Sequence, residues 1–358
     1  MNNLIKKLSV ILISIVSILL LLEISIITYL KITTNNSSLI NDDLKNETEY
    51  LFAPKKNLNT IIEDNEEKFI IKTNSIGIRE SKDYNYLDRS IVILGDSVIF
   101  GQVSQFETID YFVEQTMKIT TLNFGVGGFN TWQEYEFFKE KYNNNFNTKF
   151  LVLAICINDI DMNYFRRAMG YNGQIEVYDY SSKYFDKENN IDLIAKKLKF
   201  FLKKSELAKF IYYKIKSIYF NSTYTKKDRN SLSANYEYIY HKDNYKKYEI
   251  DLTIEYIEKI NTFSKKKGIE LFVTILPHKS QFTMTKEEFK KISIQTKLEN
   301  IIEARKIKII STSNTFFQLA NEHDIDKYWR KNDDIHPNVS GNKIIANDIV
   351  VELRKFLN

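Results

Sequence analysis

The chain has 358 residues, 43% hydrophobic and 14% aromatic, enough for one substantial core rather than several small ones. Its net charge of +5 is carried by lysines scattered among acidic residues, which argues against a nucleic-acid surface, and no recognised nucleic-acid module accompanies it. A single cysteine, Cys156, excludes an intrachain disulfide framework and a cysteine-based zinc cage.

After Lys6 and Lys7 runs Leu8 to Leu30, about 23 residues, long enough at about 1.5 Å per residue to cross a hydrocarbon core of about 30 Å. Residues 1–31 therefore read as a membrane span or a signal peptide. No small-x-small cleavage site follows the uncharged part Leu8 to Leu22, which favours an uncleaved anchor. Glu23 falls in the outer third of the span, where a carboxylate reaches the interface. Lys6 and Lys7 ahead of the span, against Lys31 close behind it, place the short N-terminus in the cytoplasm and the remainder on the extracytoplasmic side. Residues 32–70, polar and rich in Asn, Asp and Thr, read as a stalk.

Residues 71–358 read as one α/β domain. Ser90–Leu94, Thr121–Phe124, Phe150–Ile157, Ile269–Leu276 and Ile307–Ile310 are short, β-branched and apolar on both faces, as strands of a buried parallel sheet are. Helical periodicity lies between them at Ile109–Lys118, Trp132–Lys141 and Tyr248–Lys267, and in a last helix carrying Ile345, Ile349, Leu353 and Phe356. The alternation predicts a flavodoxin-like, three-layer α/β/α fold with a five-stranded parallel sheet and its site at the carboxyl ends of the strands. It breaks over residues 163–243, an insertion with a Tyr-rich loop, Tyr171 to Tyr184, and a helical stretch, Ile191 to Phe220, with eight Lys against Asp192 and Glu206. That stretch reads as a solvated helix pair on the core, or as a basic face lying on an anionic membrane.

Four segments carry chemistry. The strand Ile91–Leu94 runs into Gly95-Asp96-Ser97, which projects a serine into the crevice at the strand end. Asn123 to Thr131 follows the second strand with Gly125, Gly127 and Gly128, where backbone amides can approach an anion. Asn158-Asp159 follows the third strand with a side-chain amide that can donate. Near the carboxyl end stands Asp333-Asp334-Ile335-His336-Pro337: a serine needs an imidazole to take its proton, and the imidazole an acid to fix its tautomer. Of the four histidines only His336 has this setting; His241 and His323 read as surface residues. Cys156, inside an apolar run, reads as a buried small residue. The glycine spacing does not complete a dinucleotide loop, and no phosphate-binding Lys loop, His-Glu-x-x-His or Gly-x-Ser-x-Gly element occurs, so no metal or organic cofactor is implied.

In this order the four segments resemble the SGNH/GDSL hydrolase superfamily, whose blocks hold Ser, Gly, Asn and His. The resemblance spans roughly residues 70 to 358 and is specific at the blocks. It implies Ser97 as nucleophile with Asp333 and His336 completing a triad, and an oxyanion hole from the amides of Ser97 and Gly128 and the side chain of Asn158. Thr73-Asn74-Ser75-Ile76-Gly77-Ile78-Arg79 and Leu276-Pro277-His278 also look like segments of anchored bacterial members, with no catalytic role carried over to them. One block departs: many relatives read Gly-x-Asn-Asp where this chain has Cys156-Ile157-Asn158-Asp159. The activity implied is ester hydrolysis or acyl transfer through an acyl-enzyme on Ser97, with O-acetyl groups of a cell-surface carbohydrate as the expected substrate. The alternatives are a catalytically inactive, anchored carbohydrate-binding or scaffold protein, and a lipid-acting esterase.

Overall fold

Five strands apolar on both faces pair into one parallel sheet in the order β11-β10-β7-β5-β6. They are β5 (Arg89–Gly95), β6 (Thr120–Gly125), β7 (Asn147–Ile155), β10 (Glu270–Ile275) and β11 (Lys308–Ile310). The computed structural model describes residues 10, 14, 17–25, 28, 40–41, 50, 52–64, 67–83, 88–142, 146–163, 165–169, 175–180, 241–331 and 333–357. Numbered among themselves, the five strands run 2-1-3-4-5, the flavodoxin-like order expected from the sequence. Ile91 to Leu94 and Leu151 to Ile155 are 0% exposed, so the sheet is covered on both faces, which is why these strands lack a polar face.

The covering helices are α1 (Ser97–Phe100), α2 (Ile109–Met117), α3 (Thr131–Lys141), α4 (Asp159–Met162), α5 (Lys247–Lys266), α6 (Lys286–Ile292), α7 (Ile294–Ala304), α8 (Ser313–Glu322) and α9 (Val339–Arg354). α2 packs on α9 and α3 on α5. The stripe Ile250, Ile254, Ile257 and Ile260 on α5 is buried, as are Ile345, Ile349 and Leu353 on α9. The chain order reverses between β5 and β7, so β5 and β7 flank the crevice at their carboxyl ends.

Three stretches differ from their sequence reading. The polar residues 32–70 include β1 (Ile40–Asn41) and β2 (Ala53–Pro54), which pair with each other. Tyr50 and Phe52 are buried in the main core. β3 (Asn59–Asp64) and β4 (Glu67–Lys72) form an antiparallel hairpin. Phe69 and Ile71 are buried and Lys68 and Ile70 exposed, a period-two pattern over only six residues, too short to stand out among polar neighbours. The Tyr-rich loop of the insertion instead contains β9 (Ile175–Tyr180), paired antiparallel with β8 (Phe165–Met169). The basic stretch 191–220 lies outside the described residues.

The chain divides into two compact units; residues 39–181 and 233–358 form the one described so far, and Met1–Ser38 with Ser182–Leu232 form the other. In the second, Val10, Ser14, residues 17–25 and Thr28 are helical. Among the described residues no helix is long and apolar enough to cross a membrane. The longest described run within the expected span is residues 17–25.

The sheet and α1 approach unusually closely. A Cβ on Gly125 would collide with the backbone nitrogen of Phe100, and one on Gly95 with the Ile99 side chain. Gly125→Ala is therefore expected to cost about 1–3 kcal/mol or more through overpacking, lowering the thermal midpoint by several degrees. Gly127→Ala, whose Cβ would meet only Ser97 Cβ at 3.8 Å, serves as the control. Equal midpoints for the two variants would contradict the close approach.

Candidate active site

Ser97 opens α1 directly after β5. Asp96 caps the helix, its Oδ1 accepting from Val98 N at 2.9 Å. Arg79 holds the far end of the same turn. Its guanidinium donates to the carbonyls of Phe100, Gly101 and Val103, and lies 4.7 Å over the Phe100 ring. The carbonyl of Phe100 is one a four-residue helix leaves over, those of Gly101 and Val103 follow it, and a cation satisfies all three at once. Arg79 is 0% exposed, and burial lowers its pKa to about 10 against the attraction of Asp110 and Glu80, so it stays charged at neutral pH. The segment Thr73 to Arg79, which the sequence left without a role, thus fixes the loop that follows Ser97.

His336 arrives on a closed loop between Trp329 and Pro337. Arg330 N donates to His336 O at 3.1 Å and Asp333 N to Arg330 O at 3.1 Å. Asp333 divides its two oxygens. Oδ1 accepts from the amides of Ile335 at 2.8 Å and His336 at 3.0 Å, and Oδ2 lies 2.8 Å from His336 Nδ1. An acid three residues before the histidine can therefore fold the turn and hold the ring together. His336 Nε2 lies 2.9 Å from Ser97 Oγ. With Nδ1–H bound to the carboxylate, Nε2 is left as the acceptor for the serine proton. Burial raises the Asp333 carboxyl, but the hydrogen bonds and charge of His336 and the amides outweigh it and hold it at about 2. The His336 and Asp333 side chains are 14% and 16% exposed, shielded but open on one side.

The remaining predicted positions are placed less uniformly. Val126 to Phe129 forms a turn closed by Phe129 N donating to Val126 O at 3.1 Å, and Gly128 has φ 82°, which the third position of a type II turn requires. A Cβ on Gly127 of this turn would lie 3.8 Å from Ser97 Cβ. Asn158 does not point its amide at an open site: Nδ2 lies 3.3 Å from Met162 Sδ, and Oδ1 is buried without a hydrogen-bond partner among the described residues. A thioether is a weak acceptor, so this amide is readily redirected to a stronger one. Cys156, two residues before Asn158, turns its thiol to Asp96, 3.3 Å from Oδ1. Burial, reinforced by Asp96 and Asp159, pushes that thiol well above its ordinary value, so it remains an S–H donor. Glu134 on α3 is fully buried, and burial together with the nearby Asp96 charge raises its carboxyl well above the usual range. Among the described residues no cluster of His, Cys, Asp and Glu is arranged to hold a metal ion.

Two neighbours, Gln102 and Arg330, carried no sequence signal for the site, and a third, His278, lay in a segment given no role. Gln102 follows α1, and its Nε2 lies 3.2 Å from His336 Nε2. Arg330 donates to Gln102 Oε1 and, through Nε at 2.9 Å, to Glu67 of the β3–β4 hairpin. His278, at the end of β10, is 1% exposed, and burial followed by repulsion from His336 lowers its pKa to about 4. The adjoining loop is joined to the histidine loop by Asp334, which accepts from Ser280 N at 2.9 Å and Oγ at 2.8 Å.

A serine, an imidazole and a carboxylate in hydrogen-bonded series at the switch point of a parallel sheet constitute a serine-hydrolase type of site. No family model matches the chain, and no curated protein matches it. Solved structures do. A member of the lipolytic protein G-D-S-L family from Veillonella parvula DSM 2008 is 12% identical, with 75% of this chain and 100% of that one covered and a TM-score of 0.40. A GDSL-like lipase from Bacteroides thetaiotaomicron VPI-5482 is 13% identical, covering 77% and 92%, with a TM-score of 0.38. An acetyl xylan esterase, AlAXEase, is 12% identical, covering 74% and 95%, with a TM-score of 0.38. The chemistry of this site rests on its own distances.

His278 gives the site a pH signature. Its folded pKa of about 4 lies below the unfolded value of 6.5, so its contribution to stability is complete above 6.5 and is lost as pH falls towards 4. Asp110 and Asp348, both raised by burial to about 6, act in the opposite sense, losing their contribution as pH rises through about 6. The difference between wild type and His278→Gln therefore isolates the histidine. Between pH 7 and 5 the variant's thermal midpoint is expected to fall less than that of the wild type; a parallel fall would show that His278 is not held neutral.

Proposed function

We propose that this chain is a serine-dependent esterase or acyltransferase. Ser97 attacks an ester carbonyl as His336 takes its proton, and Asp333 steadies the imidazolium. The amides of Ser97 and Gly128, with the Asn158 side chain, receive the oxyanion. Breakdown expels the alcohol, which takes the proton from His336, and leaves the acyl group on Ser97 Oγ; water or a second alcohol then releases it. The observation that carries this reading is the unbroken series from Ser97 Oγ through His336 to Asp333, at 2.9 and 2.8 Å.

Hydrolysis of a small acetyl ester tests it. Ser97→Ala and His336→Ala should each remove nearly all turnover, and the double variant should be scarcely worse, because residues acting as one unit are not additive. Additive losses would place them in separate roles. Asn158→Ala should lower kcat by about 100 to 1,000-fold with little change in KM if its amide leaves Met162 for the oxyanion. A loss below about threefold in a folded variant would remove Asn158 from the hole.

The setting proposed is an N-terminal membrane anchor with the catalytic domain outside, acting on O-acyl, chiefly O-acetyl, esters of a cell-surface carbohydrate. Support comes from the apolar run after Lys6 and Lys7 and from Leu19 to Leu22 and Ile24, which are helical and exposed. A reporter fused after Asn358 should be active outside the cytoplasm; activity confined to the cytoplasm would overturn the topology.

A further inference from the structure

His336 Nε2 has one in-plane lone pair and two donors facing it, Ser97 Oγ at 2.9 Å and Gln102 Nε2 at 3.2 Å. Which end of an amide faces a ring nitrogen is settled by its other contacts. Here the contact is decisive. Arg330 is a donor only, so the Gln102 atom it binds must be the carbonyl oxygen, and the NH2 group must face His336. Arg330 is in turn fixed by Glu67 at 2.9 Å and by the Phe69 ring 5.6 Å away, with its side chain 1% exposed. The backbone on either side of Gln102 is held by Arg79, through the carbonyls of Gly101 and Val103. Neither the backbone nor the side chain of Gln102 is free to turn.

We propose that Gln102 is a fixed donor that opposes the protonated form of His336 and so keeps Nε2 available as a base. The inference rests on the reading of Ser97 and His336 as the reacting pair. When Ser97 Oγ bonds to the ester carbon, its proton passes to Nε2, and the new N–H meets the Gln102 NH2 group, donor against donor, with the Arg330 charge behind it. The proton then has one useful destination, the leaving oxygen, whose departure as an alcohol balances the step. The other groups that bear on His336 are Asp333 at Nδ1, which favours the charged ring, and Asp96 and His278 through space, which act in opposite directions. None of these occupies the Nε2 side as Gln102 does.

The test replaces Gln102 in the full-length chain with Leu, which removes the donor, and with Glu, which keeps the shape, still accepts from Arg330 and presents an acceptor to Nε2. Protonation of the His336 ring is followed by NMR, alongside the acid limb of kcat/KM on an acetyl ester. In Gln102→Leu the ring should protonate at higher pH than in wild type. In Gln102→Glu the midpoint should rise further, by about one pH unit or more, the usual effect of an adjoining carboxylate, with the acid limb moving in step. A merely structural role for Gln102 would lower turnover without this ordered movement. A Leu variant that protonates at or below the wild-type pH, or a Glu variant no higher than the Leu variant, would overturn the inference. If the ring midpoints move in the stated order while the wild type hydrolyses no ester, the Gln102 contact stands and the esterase reading fails.

Discussion

The site depends on how closely the turn bearing Ser97 is pressed onto the sheet. Gly95 and Gly125, paired across β5 and β6, put no side chain of their own towards α1, so the Ile99 side chain settles on Gly95 and the backbone of Ile99 and Phe100 on Gly125. A four-residue helix leaves its last carbonyls without internal partners, and Arg79 supplies donors for three in and just beyond that turn. Burying a guanidinium is unfavourable, and the short charge-assisted bonds offset that cost. A nucleophile held from below by the strands and from behind by a buried cation has little freedom to wander.

The base is brought by a separate device. Asp333 folds its own loop and orients the imidazole with its two oxygens, while Asp334 ties that loop to the end of β10. The 2.9 Å contact between Ser97 and His336 thus joins two independently built frames. Gln102 and Arg330 bridge the same frames a second time, and Glu67 adds the β3–β4 hairpin as a third. Catalytic groups held on rigid supports by neighbours that are themselves fixed need little rearrangement as charge develops.

Much of this was legible in the sequence because it follows from local patterns. Strands apolar on both faces, a serine at the end of the first and an Asp-x-x-His before the last helix are each written within a few residues. Other elements are long-range and leave no such trace. The path Glu67–Arg330–Gln102–His336 joins residues up to 263 positions apart, and before His336 is reached Glu67, Arg330 and Gln102 each read alone as an ordinary polar residue. The β3–β4 hairpin was hidden because only Phe69 and Ile71 of β4 are buried in a polar stretch. Arg79 lay in a segment noted for resemblance alone, and its clamp emerges only when the loop after α1 folds over it. Asn158 shows the converse: its position after β7 suits a donor, but its amide faces Met162.

The central claim is that Ser97 is a nucleophile activated by His336, and covalent capture tests it most directly. Treating the full-length chain with a fluorophosphonate and locating the adduct by peptide mass spectrometry should find one modification, on Ser97, with labelling of His336→Ala slowed by orders of magnitude. An unlabelled wild-type chain, or labelling of Ser97 that proceeds equally fast without His336, would contradict the account.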